Sequence, residues 1–333
     1  MGSLENGKKN VWIDCDVGQD DVFAIVLALG SPEVNLIGIS SSYGNSNLEN
    51  TTSNTLRILT AAGNTNVPVY KGLAGPFLSS RQSMASGGIH GNTGLAGTNL
   101  LPTATRTIEP VHAVLAMAKA FNAMPDESVY LCVTGPMSNV AVLFCLYPEI
   151  TKKIKQVVIM GGAFGLASPL PASEMNIVSD PEAAETVFQN PSLCGKIILI
   201  PLETTHTARA TEAVRSNILG DGTSTFRRML FELVSQFAAG YTKLIPGFMD
   251  GPPVHDPLTV FYVLYPEEFV TNLVHVTVVL GGKADGKTIC DMNTSRYYVN
   301  EKKNVLVSRS TNPPVFWAKM VAAIERVAAQ SPQ

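Results

Sequence analysis

The 333-residue sequence predicts a single α/β domain built on a mostly parallel, doubly wound, Rossmann-like sheet. Two patterns lead to this prediction. Short runs rich in apolar and β-branched residues alternate with helical patterns along most of the chain, as they do in βαβ units. Most of these runs are continuously apolar, which is typical of parallel strands that helices cover on both faces. The hydrophobic content of 45% is enough for one sizeable core, and neither a repeat nor a linker divides the chain.

The pattern predicts the following elements in chain order. Strands are expected at residues 11–16, 34–40, 67–70, 129–134, 156–160, 196–202 and 274–280. Helices are expected at residues 20–29, 48–62, 110–123, 138–147 and 181–189. Residues 211–248 have a wholly helical pattern, and we expect this block to pack beside the sheet and over the carboxyl edge of its strands, where the active site is expected. Residues 1–10 are expected to form a disordered tail before a domain at 11–330.

Charge and composition exclude several classes of partner. A formal net charge of −3 leaves no basic surface for a nucleic-acid backbone. No segment reaches the roughly 18 uninterrupted apolar residues that a membrane-spanning helix needs, and the amino terminus has no apolar signal region. The five cysteines lack paired spacing, which favours reduced thiols over disulfides or a zinc site. We therefore expect a cytoplasmic protein that binds neither nucleic acid nor membranes.

An acidic cluster is the most informative feature of the sequence. Asp14, Asp16, Asp20 and Asp21 stand where a short apolar run gives way to a helical pattern. Carboxylates this close repel one another unless a cation or separate hydrogen bonds keep them ionised. Complementing the amino end of the helix accounts for Asp20 and Asp21 but leaves the other two acids unexplained. Ligands of open α/β sheets bind at strand ends, so a hard cation, Ca²⁺ or Mg²⁺, is the economical explanation.

Further polar residues also stand at predicted strand ends. Thr134 closes one strand, in the sequence Thr-Gly-Pro, and Met160 closes the next, before two glycines. Glu174 and Asn176 would project to one side if residues 172–177 were extended, as a pair able to hold vicinal hydroxyls would. The segment around Thr134 also has a plain structural explanation, as an ordinary strand–turn–helix connection with Ser138 as the capping residue.

Two histidines are additional candidates. His255 precedes Asp256 and a proline at the start of a helical run, and an ordinary histidine pKa near neutrality leaves acid or orienting roles open to it. Asp256 could be no more than the cap of that helix. His90 lies in a loop at residues 79–101 that is rich in Gly, Ser and Asn, and long loops in compact domains are often functional. Neither histidine is decisive alone.

Taken together, these segments resemble the inosine–uridine preferring nucleoside hydrolases. The match covers most of the chain, and the opening motif, Asp-x-Asp-x-Gly-x-Asp-Asp, falls on residues 14–21 with all four acids present. Within it, Val17 replaces a usual proline and Gln19 occupies a variable position. The family's other motifs follow in order, at residues 43–45, 89–91, 134–136, 160–162, 174–184 and 254–257. Residues 12–16 and 253–257 are most similar to fungal uridine-preferring members.

The resemblance implies an enzyme that hydrolyses the N-glycosidic bond of ribonucleosides to free base and ribose, in nucleoside salvage or catabolism. It implies a Ca²⁺ ion held by the side chains of Asp16, Asp21 and Asp256 and by the backbone carbonyl of Thr134. Asp16 would also take a proton from the attacking water as general base. A homo-oligomer, either a dimer or a tetramer, is expected.

The resemblance also implies which residues contact the nucleoside. The sugar would be contacted by Asp20, Asn45, Met160, Glu174, Asn176 and Asp256. His255 is the first candidate for protonating the leaving base, and His90 is the second. Tyr241 and Phe237 are expected to wall the base pocket, although their i, i+4 spacing on one helix suits core residues equally well. The preferred base is expected to be uracil, with inosine and other purines left open.

Two other functions stay open from the residues alone. Phosphatases of the haloacid dehalogenase type also open with Asp-x-Asp after an apolar run, but here no later Asp-Asp pair follows and Lys196 begins its strand instead of ending it. The second alternative is a non-catalytic calcium- or sugar-binding protein. Its EF-hand version fails, because Gln19 and Ile25 occupy the loop positions that need Gly and Glu.

Overall fold

The structure is a computed structural model, and it describes residues 7–78, 89–165, 173–245, 247–290 and 302–332. Within these ranges the strands are β1 (Lys9–Cys15), β2 (Val34–Ser41), β3 (Val69–Lys71), β4 (Val129–Val133), β5 (Ile154–Met160), β6 (Ile197–Ile200), β7 (Val270–Val274), β8 (Val276–Val278), β9 (Thr288–Cys290) and β10 (Val305–Ser310).

The described strands form one large sheet and one small one. The large sheet has eight strands in the order β3-β2-β1-β4-β5-β6-β10-β7, and β8 pairs with β9 separately. Every neighbouring pair in the large sheet is parallel except β10 and β7. The predicted α/β fold with a mostly parallel, doubly wound sheet is therefore confirmed.

Helices follow most of the strands. They are α1 (Gln19–Leu29), α2 (Leu48–Ala61), α3 (Ala113–Asn122), α4 (Ser138–Leu146), α5 (Met175–Ser179), α6 (Pro181–Phe188), α7 (Leu202–Thr205), α8 (Glu212–Leu219), α9 (Thr225–Leu244), α10 (Pro257–Leu264) and α11 (Pro313–Ala328). Short 3₁₀ turns lie at Pro148–Lys152, Pro191–Leu193, Pro266–Glu268 and Gly282–Ala284.

The sheet separates two hydrophobic clusters. One cluster packs α1, α10 and α11 against one face, and the other packs α3, α4 and α6 against the opposite face. Because side chains alternate along a strand, Ile13 of β1 belongs to the first cluster and its neighbour Trp12 to the second. Burial on both faces explains why the strands are continuously apolar in sequence.

The elements depart from the sequence prediction in a few places. The run at 274–280 is divided between β7, which starts at Val270, and β8. The sequence analysis predicts neither β10 nor α11. The strand β10 was missed because it has only three consecutive apolar residues, 305–307. The predicted tail is too long, because Lys9 and Asn10 already belong to β1, and residues 1–6 lie outside the described residues. Among the described helices, none has the length and apolar character needed to cross a membrane.

Candidate active site

The topology places the candidate site at the switch point of the sheet. The chain winds from β1 outward through β2 and β3 and then continues with β4 on the other side of β1. Ligands of open α/β sheets bind outside the carboxyl ends of the strands at such a point. Asp16 directly follows β1 and Thr134 directly follows β4. The backbone N–H of Thr134 donates to the carbonyl of Asp14 at 2.8 Å, which holds the two strand ends together.

Three carboxylates converge at this point. Asp20 and Asp21 occupy the first turn of α1, and Asp256 immediately precedes α10. Their carboxylate oxygens lie within 4.8 Å of one another, and all three residues are buried. In the described stretch around α10, the Asp256 side chain makes no capping hydrogen bond. Helix capping therefore does not explain why this acid is present.

Hydrogen bonds from neighbouring elements orient two of the motif's acids. The Oδ2 atom of Asp21 accepts from the backbone N–H of Gly18 at 2.8 Å and from Nδ2 of Asn45 at 3.2 Å. Its Oδ1 accepts from the hydroxyl of Thr134 at 2.7 Å. The Oδ2 atom of Asp16 accepts from the backbone N–H of Asn45 at 2.7 Å. Asn45 therefore links the end of β2 to both acids.

The electrostatics of the cluster favour a bound cation. Burial, reinforced by the neighbouring carboxylates, raises the pKa of Asp16 and of Asp256 well above its usual range, and burial raises the pKa of Asp20 to about 7. Asp20 and Asp256 share a side-chain hydrogen bond, which two ionised carboxylates cannot form. The Oδ1 atoms of Asp16 and Asp20 are buried without a hydrogen-bond partner among the described residues. A metal ion would remove the repulsion and take up the unpaired oxygens, so these residues fit one.

The three converging carboxylates differ in one residue from the acids of the predicted ligand set. The three acids within 4.8 Å of one another include Asp20, which the resemblance assigns to the ribose site, and do not include Asp16. The carbonyl oxygen of Thr134 accepts from Nδ2 of Asn176 at 2.9 Å, and a carbonyl has a second lone pair. The assignment of Asp16, Thr134 and the other ligands stays a prediction.

Asp14 lies below the cluster and is held by other side chains. Its Oδ1 accepts from the hydroxyl of Ser40 and from Nδ2 of Asn139, the latter at 2.9 Å. Burial raises the pKa of Asp14 to about 7, although both hydrogen bonds act in the opposite direction. The hydroxyl of Ser40 also accepts from the indole N–H of Trp12 at 2.9 Å. Asp14 thus belongs to a buried network that joins β1, β2 and α4.

The geometry of Glu174 corrects one sequence prediction. Residue 172 lies outside the described residues, and the segment after it is not extended, because Met175–Ser179 forms α5 with Glu174 as its N-cap. The Glu174 carboxylate accepts from the backbone N–H of Asn176 at 2.8 Å, of Ile177 at 3.1 Å and of Gly162 at 3.0 Å. These bonds tie the start of α5 to the loop after β5. The sequence did not reveal the cap, because a capping glutamate is unusual.

Asn176 joins two strand ends. Its Nδ2 donates to the carbonyl of Thr134 at 2.9 Å and to the carbonyl of Met160 at 3.1 Å, and it lies 3.4 Å from the Met160 sulfur. The amide therefore sets the spacing between the ends of β4 and β5. Asn176 and Met160 are both buried, and their contact with the sugar stays a prediction.

A chain of hydrogen bonds passes through His255. Its Nδ1 lies 2.7 Å from the hydroxyl of Thr205, and its Nε2 lies 2.6 Å from the hydroxyl of Tyr241. Its backbone N–H donates to the Asp20 carboxylate, which connects this chain to the acid cluster. Burial, with His206 and His90 nearby, holds the pKa of His255 well below its ordinary range. The ring is therefore neutral, contrary to the expected pKa near neutrality, and can pass on a proton only between its two hydroxyl partners.

An aromatic cluster stands beside His255. Phe237 and Tyr241 of α9 pack with Ile89 and Phe248, and the rings of Phe237 and Tyr241 lie 5.0 Å apart. His90 packs on Phe237 with ring centroids 5.3 Å apart. The Asp20 and Asp256 carboxylates are among the causes, after burial, that raise the pKa of Tyr241, so the cluster borders the acids. Both predicted histidines and Tyr241 therefore lie at one site.

The sequence analysis missed several residues that surround His255 and Tyr241. Thr205 ends α7 and Phe248 follows α9, and nothing in their local sequence marks them as partners of His255 or Tyr241. His206 packs on Phe248 with ring centroids 4.8 Å apart. The one available signal was that residues 202–206 follow a buried strand, as the other site segments do.

Comparison with known proteins identifies the family. The family model described as inosine-uridine preferring nucleoside hydrolase matches residues 11–318. The chain belongs to this family. Its similarity to the pyrimidine-specific ribonucleoside hydrolase RihA of Escherichia coli is 39% identity over 296 residues, which are 88% of this chain and 90% of that protein. It is 35% identical over 325 residues to an uncharacterized protein of Schizosaccharomyces pombe, covering 98% and 96% of the two chains.

The fold of this nucleoside hydrolase also matches a solved relative. A purine-preferring ribonucleoside hydrolase from Gardnerella vaginalis aligns with a TM-score of 0.86 at 29% identity, over 96% of this chain and 99% of that one. The family match identifies the chain as a nucleoside N-ribohydrolase family enzyme, which decides against a haloacid dehalogenase-type phosphatase and a non-catalytic binding protein. The named relatives differ in base preference, so the family alone leaves that preference unresolved.

Proposed function

We propose that this enzyme hydrolyses ribonucleosides to free base and ribose with uridine as the preferred substrate, Ca²⁺ as cofactor and Asp16 as general base. The observation that carries the proposal is the group of buried carboxylates at the switch point of the sheet. Buried acids that mutually raise their pKa values are the arrangement expected where a hard cation belongs. The family match supplies the reaction class.

The proposed metal ligands are the carboxylates of Asp16, Asp21 and Asp256 and the carbonyl oxygen of Thr134. Ca²⁺ bound there would supply positions for a water molecule and sugar hydroxyls and lower the pKa of that water. Asp16 accepts the proton from the water through Oδ1, which has no partner among the described residues, while Asn45 holds Oδ2. The bond from Asn45 thus orients the Asp16 carboxylate so that its other oxygen can accept the proton of the water.

The sugar lies between the acids and the ends of β4 and β5. Side chains on both sides contact the ribose and its hydroxyls. They are Asp20, Asn45, Met160, Glu174, Asn176 and Asp256. The bond from C1′ to the base nitrogen breaks through an oxocarbenium-like state, as in other glycoside hydrolyses. Binding energy from the hydroxyl contacts favours that flattened sugar.

The departing base needs a proton or a strong hydrogen bond. His255 is proposed to assist the departing base by donating from Nε2 to the Tyr241 hydroxyl at 2.6 Å, so that this hydroxyl can donate a hydrogen bond to the base, with His90 as a second substrate contact. Uridine preference is supported by the 39% identity to the pyrimidine-specific relative over 88% of this chain.

Release of free ribose tests the proposal. Purified protein is incubated with uridine, cytidine, inosine and adenosine, with and without phosphate. We expect phosphate-independent ribose release that is fastest from uridine and is lost on chelation or in Asp16→Ala. Asp126→Ala, which changes an exposed aspartate that forms an ion pair with Lys153 at 2.7 Å, is the control and should retain full activity. Absence of ribose from all four nucleosides would overturn the proposed activity, and faster release from inosine would overturn the base preference.

We further propose that the enzyme is a cytoplasmic homo-oligomer, either a dimer or a tetramer. The resemblance supports the oligomer, and the lack of paired spacing among the five cysteines of the sequence supports a reducing compartment. Light scattering coupled to size-exclusion chromatography measures the mass. A value of about 35.5 kDa, that of one chain, would contradict the oligomer.

A further inference from the structure

Gln19 is a buried polar side chain that the proposed mechanism does not use. It is the first residue of α1, between Gly18 and Asp20, and is fully buried. Its Nε2 donates to the carbonyl of Ala96 at 2.9 Å, and its Oε1 lies 2.6 Å from Nδ1 of His90. One amide therefore ties both ends of residues 90–96 to the helix that carries two acids of the cluster.

The contacts of Gln19 fix the orientation of its amide. The Ala96 carbonyl can only accept a hydrogen bond, so the NH₂ group of Gln19 must face it and Oε1 must face His90. Oε1 can likewise only accept, so Nδ1 of His90 must carry the proton. The backbone N–H of Gln19 also approaches this Nδ1, but at 3.4 Å it is too distant to compete with a contact of 2.6 Å.

His90 then has a bare Nε2. Burial lowers the pKa of His90 to about 3, so the neutral ring carries a single proton. Among the residues that the structure describes, Nε2 has no hydrogen-bond partner. The ring packs on Phe237 and directly against the start of α1, where a Cβ added to Gly18 would lie 2.4 Å from Nδ1 and 2.7 Å from Nδ2 of Asn45. His90 is thus held at the border between the acids and the aromatic cluster.

We infer that Gln19 is a positioning residue for substrate specificity, because it holds His90 in the Nδ1–H tautomer and makes Nε2 an acceptor that contacts a hydrogen-bond donor of the substrate. The inference rests on the proposed function for the identity of that substrate. The vicinal 2′ and 3′ hydroxyls are the pair that Ca²⁺ and the acids would hold in the proposed site, so the donors that remain on uridine are the 5′ hydroxyl and the N3–H of the base. A carbonyl oxygen of the base would meet a lone pair and be repelled.

Nitrogen NMR of the histidine side chains tests the tautomer without any substrate. The chain has five histidines, and comparison with His90→Gln identifies the signals of His90. In the wild-type protein we expect a protonated Nδ1 and a bare Nε2, and in Gln19→Met we expect protonation to move toward Nε2. A protonated Nε2 in the wild type would overturn the inference whatever the enzyme's activity. This spectrum also decides the question if Gln19→Met fails to fold.

Kinetics then identify the donor that Nε2 contacts. Wild type and Gln19→Met are compared on uridine, 5′-deoxyuridine and 3-methyluridine. In the wild type we expect removal of the correct donor to lower kcat/KM about tenfold, the effect of one hydrogen bond. Gln19→Met should lower kcat/KM for uridine by about the same factor and make the enzyme insensitive to that donor. Equal loss on all three substrates would reduce Gln19 to a structural residue and overturn the inference.

Thr98→Val is the matched control. The Thr98 hydroxyl donates to the Glu232 carboxylate of α9, so it clamps the same loop without touching His90. We expect this variant to keep the His90 tautomer and to affect the three substrates equally. A tautomer change in Thr98→Val would mean that loop anchoring, and not the Gln19 amide, selects the proton position, which contradicts the inference. Failure of the proposed function would instead appear as no ribose release together with the expected wild-type spectrum.

Discussion

The site has two halves that are built in different ways. The acid half comprises Asp16, Asp20, Asp21 and Asp256, which stand at a strand end and two helix starts and are oriented largely by backbone N–H groups and hydroxyls. The base half comprises His90, Phe237, Tyr241, Phe248 and His255, which come mostly from loops and the long α9. The two halves meet at residues 255 and 256. The acid half is thus part of the sheet scaffold, whereas the base half depends on how a separate helical block packs over it.

This difference predicts different responses to substitution. Changes in the acid half act on the sugar and the water, which all nucleosides share, so they lower turnover of every substrate by a similar factor. Changes in the base half act on the leaving group, so their effect depends on which base departs.

The largest effect is expected for Asp21→Ala. This change removes a proposed metal ligand and leaves the Gly18 N–H and the Thr134 hydroxyl without their acceptor. We expect kcat/KM to fall by more than about 10³-fold, with the same factor for uridine, cytidine and inosine. Steady-state kinetics and circular dichroism are the measurements, and Asp126→Ala is the control. Undiminished turnover, or a factor that differs among the three bases, would contradict the assignment of Asp21 to the acid half.

His255→Ala is expected to show the opposite selectivity. It breaks the chain from Thr205 to Tyr241 but keeps the backbone N–H that donates to Asp20. We expect kcat/KM for uridine to fall about 10²-fold, as for loss of one acid–base group. A nitrophenyl riboside, whose leaving group departs as a stable anion, should lose much less. An equal loss on both substrates would mean that His255 positions Asp256 instead of serving the leaving base.

The amount by which Ca²⁺ raises the free energy of unfolding should depend on pH. Burial raises the pKa of Asp20 to about 7, above the ordinary value of 3.8 that it regains on unfolding. For the metal-free protein this contribution to stability is fully present below about pH 4 and is lost as pH rises to about 7. Ca²⁺ holds the acids ionised, so its stabilising effect should grow over the same interval, to about 2.7 kcal/mol at a concentration 100 times Kd.

Thermal unfolding with and without Ca²⁺ at pH 5 and pH 7.5 measures this growth. Taking the difference between the two conditions at each pH removes the contribution of Asp14, whose raised pKa is present in both. In Asp256→Asn the increment from Ca²⁺ should largely disappear. A Ca²⁺ increment that is the same at both pH values would be inconsistent with proton release from the cluster.

The two halves also differ in how far the sequence predicts them. Acids spaced Asp-x-Asp at a strand end and Asp-Asp at a helix start form a local pattern, and parallel strands bring their ends to one edge whatever the tertiary details. The resemblance gave roles to Thr134, Asn176 and Asp256, and the structure places Thr134 and Asp256 with the acids and Asn176 on the carbonyl of Thr134. Their roles as metal ligands stay predictions, because the same oxygens that could bind the metal also accept hydrogen bonds from neighbouring groups.

Long-range partners were not predictable in the same way. Thr205 approaches His255 only because α7 follows β6 at the same sheet edge, and no period or spacing in the sequence encodes a contact across 50 residues. Gln19 looked like a variable position in a motif, since its role depends on a loop 71 residues away. The condition that residues 172–177 are extended is not met from Glu174 onward, because a glutamate cap starts the short α5 there and the hydrophobic pattern of the sequence does not report such a cap.

The smallest effect is expected for Tyr241→Phe, which removes one hydroxyl and keeps the ring that packs on Phe237 and Phe248. Loss of the 2.6 Å contact to His255 should lower kcat/KM for uridine about fivefold to tenfold, the usual effect of one hydrogen bond. Tyr262→Phe is a matched control, because Tyr262 lies on α10 outside the aromatic cluster and the change deletes a hydroxyl that is hydrogen-bonded to Gln156 of β5. It should alter stability without altering kcat/KM.

Combining Tyr241→Phe with His255→Ala decides which half the hydroxyl serves. If Tyr241 acts only through His255, the double variant should be no slower than His255→Ala alone, because both changes break the same chain. The nitrophenyl riboside should then be almost unaffected by Tyr241→Phe. Additive losses that extend equally to the nitrophenyl riboside would place the hydroxyl with the carboxylates that raise its pKa, and the boundary between the halves would move from His255 to Tyr241.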